Sequence, residues 1–175
     1  MRSMSNLRRL LYAAVCLALC LLLPFVTGQI PQIGKALSPM HIPVFLAGFL
    51  CGPVWAGAVG VVAPLLRFAL FHMPQPPTCF TMALELLTYG VVSGLLYRAL
   101  PKKTGSIYLA LIGAMLAGRV VWGLASAVIY GAMGNSFTWA VFVAGGFVNA
   151  VPGIILHIVL VPVLVMVLER AGTGK

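Results

Sequence analysis

Three ionisable side chains, Arg67, Glu85 and Arg119, stand inside stretches that are otherwise continuously apolar. A charge in hydrocarbon is costly, so each marks a place where a partner or a polar guest is expected. Residues at i, i+3, i+4 and i+7 share a helix face, and this groups Arg119, Trp122, Ser126 and Tyr130, then Thr81, Glu85, Thr88 and Tyr89, then Asn149, Gly153 and His157. Arginine orients a carboxylate, asparagine an amide or hydroxyl, and Trp and Tyr supply flat apolar contact, which together describe a pocket for a small molecule. Two cations face one acid: if Glu85 pairs with either arginine, the other is left for a substrate carboxylate. A purely structural role for Glu85, holding helices together through Arg67 or Arg119, stands beside this reading. His157 lies deeper and reads as a satisfied structural histidine.

The elements that must carry these residues are set by composition. Of 175 residues, 62% are hydrophobic and 7% charged, with a mean hydropathy of +1.10; a soluble core of this length could not hide so much apolar surface. Apolar runs long enough to cross about 30 Å of hydrocarbon as helices cover Leu7–Val26, Val54–Phe71, Cys79–Leu100, Ile107–Ala132 and Trp139–Leu168, with a shorter one at Ile42–Leu50. The expected fold is all-α: a polytopic six-helix transmembrane bundle with a short second span, one domain over residues 1–175. The short span is expected to tilt, to sit buried among its neighbours, or to be a half-span continued by the third across Cys51, Gly52 and Pro53.

Charge placement sets the orientation. Net charge is +9, but the cations sit in the flanks: Arg2, Arg8 and Arg9 before the first run, Arg98, Lys102 and Lys103 in one gap, Arg170 and Lys175 at the close. The positive-inside rule then puts both termini in the cytoplasm, leaving Lys35 in an outer loop, and no nucleic-acid surface is implied. At 1.5 Å per residue Arg67 lies about 8 Å, Glu85 about 10 Å, Trp122 and Asn149 about 15 Å and Arg119 about 20 Å below the outer surface. The polarity is therefore that of a pocket open outward and closed toward the cytoplasm. The loop from Gly28 to Met40, with Gln32, Lys35 and Ser38 and followed by His41, is long enough to act as a lid; "FHMPQPPTC" at 71–79 forms the opposite rim.

Several classes are disfavoured. With no Asp and one intramembrane Glu, acid–base, nucleophilic or metal catalysis lacks its groups, and Cys16, Cys20, Cys51 and Cys79 show no ligand spacing, so neither metal nor cofactor is expected. "AGTGK" at 171–175 lacks the strand, helix and Ser or Thr of a phosphate-binding loop, so any ATP hydrolysis belongs to another polypeptide. The amino-terminal run exceeds a signal-peptide core and lacks a small-x-small cleavage site. A stand-alone secondary transporter, for which an internal repeat would be expected, and an assembly subunit without ligand remain as alternatives. Ala14 and Ala18 make a small-x-x-x-small ridge of the kind that admits a second helix in lipid.

The stretches "LPFVTGQIPQIGKALSPMHIPVFLAGFLCGP", "PLLR", "ELLTYG", "GRVVWG" and "NAVPGI", together with the Ala14/Ala18 ridge and the long first outer loop, resemble the substrate-binding (S) components of energy-coupling factor vitamin importers, in particular a subgroup assigned to pantothenate or related vitamins. The resemblance implies a prokaryotic cytoplasmic-membrane subunit that captures a vitamin outside. It further implies docking through the alanine ridge onto a transmembrane coupling (T) subunit with two ATPases, and toppling in the membrane to deliver its load. His41, Arg67, Glu85, Tyr89, Arg119, Trp122 and Asn149 are the substrate-binding candidates. Arg119 or Arg67 would take the carboxylate of pantothenate, Trp122 and Tyr89 its aliphatic part and Asn149 its amide or hydroxyls; an aromatic precursor would suit Trp122 and Tyr89 equally.

Overall fold

A computed structural model describes residues 5–26, 36–101 and 103–173, and within them all regular structure is helical. Among the described residues, the α-helices with both ends described are, in order, α1 (Asn6–Val26), α2 (His41–Leu50), α3 (Pro53–Phe71), α4 (Thr78–Ala99), α5 (Thr104–Ala132), α6 (Trp139–Val143) and α7 (Val151–Thr173), with a π-helical turn at Ala144–Val148 joining α6 to the break before α7. Among the described residues, five stretches are long and apolar enough to span a bilayer, the last being Trp139–Ala171, and α2 is a shorter apolar helix beside them. The chain is a multi-pass membrane protein, as its apolar runs require.

The packing follows an inside-small, outside-large rule. Along α5, Leu109, Ile112, Leu116, Val120, Leu124 and Val128 form an exposed stripe at helical spacing, whereas Ala110, Ala114, Gly118 and Gly123 face inward. Lipid is as apolar as leucine, so helices associate by close backbone approach rather than by hiding large side chains. The α3–α4 contact is the clearest case: a Cβ at Gly60 would meet the Leu86 backbone, and one at Gly90 the Ala56 backbone. Gly57 and Gly60 of α3 are thus both used inside the bundle, Gly57 against Leu87 and Val91.

The start of α1, the end of α4 and the end of α7 lie at one end of the bundle. There Tyr97 of α4 donates to Glu169 of α7 at 2.5 Å, and the Arg98 guanidinium lies against Gly52, whose φ of +93 turns α2 into α3. At the opposite end Phe25 of α1 meets Phe71 of α3 and Thr78 of α4 meets Tyr130 of α5.

The short second span is a buried half-span running antiparallel to α3. Its side chains descend along α4: Phe45 packs on Tyr89, Gly48 abuts Gly90 and Ser93, and Phe49 packs on Tyr97. Nine of its ten residues are buried. At about 15 Å it fills only half of a bilayer core, and it begins at the level of Glu85. The cavity described below lies at the level of its first residue, bordered there by Ser38, Pro39, Met40 and His41.

The last span departs from a single continuous helix. Pro152 has no amide hydrogen to return to Val148, so the backbone turns at Asn149 and Ala150. Just before it the Asn149 amide bonds to Ala144 at 2.8 Å, the i−5 pattern of a π turn. At the carboxyl end residues 171–173 simply prolong α7, while Gly174 and Lys175 lie outside the described residues.

Candidate functional site

The site is built around Glu85, one of only two acids in the chain. It is 3% exposed, and its Oε1 accepts from the Tyr89 hydroxyl at 2.6 Å and from the Arg119 guanidinium at 2.9 Å. His41 Nε2 stands 3.8 Å from the same oxygen. The i, i+4 spacing places Tyr89 one turn from Glu85 on the inner face of α4. Gly118 makes that arrangement possible, since any Cβ there would run into the Tyr89 ring. A buried carboxylate with an arginine and a hydroxyl on it is a satisfied group, and the charges of Glu85 and Arg119 cancel one another.

Arg67 differs. It is 3% exposed, bonds through its guanidinium to the Leu21 carbonyl at 2.7 Å, and lies between the rings of Phe25 and Phe71 at 5.2 and 5.4 Å. No carboxylate among the described residues pairs with it. Cation–π contacts and one carbonyl hold the side chain in place, but they leave its charge uncompensated. Phe71 follows Arg67 at i+4, a spacing visible in the sequence; the Leu21 carbonyl was not.

A cavity of about 790 Å³ opens at the end away from the termini. Arg67, Glu85, Arg119 and His41 border it, joined by Trp122, Ser126 and Tyr130 from α5, Asn149 from the α6–α7 break, and Met73, Pro74, Gln75 and Pro76 from the α3–α4 connection. Its volume is in the range of small-molecule sites. Trp122 is fixed by Phe137 at 5.7 Å and Phe142 at 6.1 Å, and the glycine pair Gly145 and Gly146 lets the chain pass beside its indole.

Of the residues expected at the site, His41, Arg67, Glu85, Arg119, Trp122 and Asn149 border this one cavity. Tyr89 stands behind Glu85 instead, packed on Phe45 and His41. Thr88 lies on the flank of α4, its hydroxyl returned to the Leu84 carbonyl at 2.8 Å. Ser38 borders the cavity; Gln32 and Lys35 lie outside the described residues. His157 is in contact with the Ser38 carbonyl at 3.3 Å and stacks on His41 at 5.7 Å, so it anchors the chain entering α2. Gly153 serves the same join, sitting against the carbonyls of Ala36 and Leu37. Ala14 and Ala18 are exposed on α1, while Ala13, Cys16 and Cys20 face inward. All four cysteines are buried free thiols.

A polar cavity in a lipid-immersed bundle is what a solute-binding subunit needs, and one comparison decides the family: the model described as "ECF transporter, substrate-specific component" matches residues 8–165. The chain belongs to that family. Neither a curated protein nor a solved structure matches it. ECF substrate-specific components are transport subunits, not enzymes; they bind small molecules and associate with T and ATPase subunits. In this S component the one buried acid, Glu85, is engaged by Arg119 and Tyr89.

Proposed function

We propose that this S component captures a small monoanionic vitamin or vitamin precursor, with pantothenate as the best match, at the outer face of a prokaryotic cytoplasmic membrane. The observation that carries the reading is Arg67, a buried guanidinium in the cavity wall with no carboxylate on it. Arg119 and Arg67 against Glu85 leave the site one positive charge in excess, which a single carboxylate neutralises. The flat apolar wall of Trp122 and Phe137 suits the aliphatic body of such a ligand, and Asn149 its amide. Cations concentrated at the end opposite the cavity support an outward-facing mouth. The segment carrying Gln32 and Lys35, with Ser38 at its foot, acts as the lid. Delivery inward requires a T subunit and two ATPases, and the exposed Ala14/Ala18 ridge of α1 is the docking surface for the T subunit.

Equilibrium binding of radiolabelled pantothenate to the purified protein in nanodiscs tests this. Arg67→Met removes the charge and keeps the length; losing one partner of a buried charge pair costs about 3 kcal/mol, or roughly 100-fold in Kd. Panthenol, which carries an alcohol in place of the carboxylate, should bind the unaltered protein far more weakly. Equal affinity of panthenol and pantothenate, or full affinity in Arg67→Met, would refute an anion site at Arg67.

A further inference from the structure

Among the described residues, two polar side chains of the cavity wall have no hydrogen-bond partner: the His41 imidazole, whose Nε2 stands 3.8 Å from Glu85 Oε1, beyond hydrogen-bond distance, and the Ser126 hydroxyl. His41 is 2% exposed and Ser126 0%, and both residues border the cavity. Neither orphan is forced by helix geometry. Thr81, Thr88 and Ser93 each return their hydroxyls to a carbonyl one turn back, at 3.1, 2.8 and 3.3 Å, whereas Ser126 does not. Enclosed polar groups are satisfied in native structures, by protein, water or ligand. An imidazole offers one donor and one acceptor, and a hydroxyl does the same. The complement of such a pair is a group that both gives and takes hydrogen bonds, as a hydroxyl does; a second carboxylate only accepts. Glu85 and Arg119 beside His41 already cancel one another, so this part of the cavity calls for no further charge.

Resting on the monoanion reading above, we infer that the substrate carries hydroxyl groups on the part removed from its carboxylate, and that His41 and Ser126 select for them. A rotation about χ1 of Ser126, or a ring flip at His41, is the movement by which the polar atom would meet the guest. The substrate class is then a hydroxylated monocarboxylic acid, and an equally bulky acid without hydroxyls is rejected because it leaves both groups unpaired.

The test measures three probes, pantothenate, its dideoxy analogue and panthenol, on the unaltered protein and on Ser126→Ala, Ser126→Thr and His41→Phe in nanodiscs. The inference expects pantothenate to bind about 10-fold or more tighter than the dideoxy acid. That gap should shrink in Ser126→Ala and His41→Phe and persist in Ser126→Thr, which keeps the hydroxyl. Should His41→Phe fail to fold, the two serine variants decide alone. A gap absent from the unaltered protein, or unchanged in Ser126→Ala, overturns the inference while the anion site stands, provided panthenol still binds weakly. Panthenol matching pantothenate, or no saturable binding by any probe, overturns the monoanion reading and the hydroxyl inference with it.

Discussion

Replacing Glu85 by glutamine isolates the electrostatic contribution of the cluster, because the side chain keeps its shape and an oxygen for the Tyr89 hydroxyl while losing its charge. The 2.9 Å contact with Arg119 then joins a full cation to a neutral amide, and with Glu85 3% exposed little water can compensate. Breaking a buried ion pair from one side costs about 3–5 kcal/mol. At about 2–4 °C per kcal/mol for a chain of this size, the lower bound already lowers the midpoint by about 6 °C. Thermal unfolding in nanodiscs, followed by tryptophan fluorescence, gives the shift. A second variant supplies the control: Arg119→Met should be destabilised on its own account, since it strands the carboxylate. Combining it with Glu85→Gln removes both charges and should recover about 1–3 kcal/mol relative to the sum of the single changes. A midpoint within about 2 °C of the unaltered protein for Glu85→Gln, or strict additivity in the double variant, would refute a charge pair as the organiser of this cluster.

Two further outcomes follow from the packing. Gly118→Val should cost about 1–3 kcal/mol by overpacking, because the new Cβ meets a Tyr89 ring fixed by Phe45 and His41; Gly131→Val on the same helix, with nothing within 4 Å, is the neutral comparison, and equal melting temperatures for both would contradict the account. Ala14→Leu and Ala18→Leu should leave pantothenate binding by the isolated S component unchanged and abolish uptake by the assembled importer, since both alanines are exposed on α1; normal uptake in both would exclude this ridge as the docking face.

Much of the architecture was legible because the bilayer imposes long apolar runs, and the helices begin and end within a few residues of those runs. The pairing of Glu85 was not. By depth alone, at 1.5 Å per residue, Arg67 lies about 8 Å and Arg119 about 20 Å below the surface, against about 10 Å for Glu85, which favours Arg67. Yet Gly118, beside Arg119, sits against Tyr89, one turn from Glu85, and the long arginine side chain crosses that turn to meet the acid at 2.9 Å. Such a register comes from contacts between helices, here Gly118 against Tyr89, which no single-helix periodicity encodes. The same limit applied to Tyr89: its stripe was right, but whether a residue on that stripe borders a cavity or stands behind another side chain depends on the neighbour. The break at Asn149 was written in "NAVPGI", whose proline removes a helix bond.

The late start of α2 has a consequence for how cargo size is set. His41, the first residue of α2, stands beside Glu85 in the cavity wall, so the start of this helix contributes to the base of the chamber. One additional turn ahead of His41 would raise the base by about 5 Å and shut out all but the smallest solutes. Removing a turn would deepen the chamber by as much without touching Arg67 at its mouth. On the function proposed above, selection by length and selection by charge would reside in separate parts of the chain, and each could change while the other is kept.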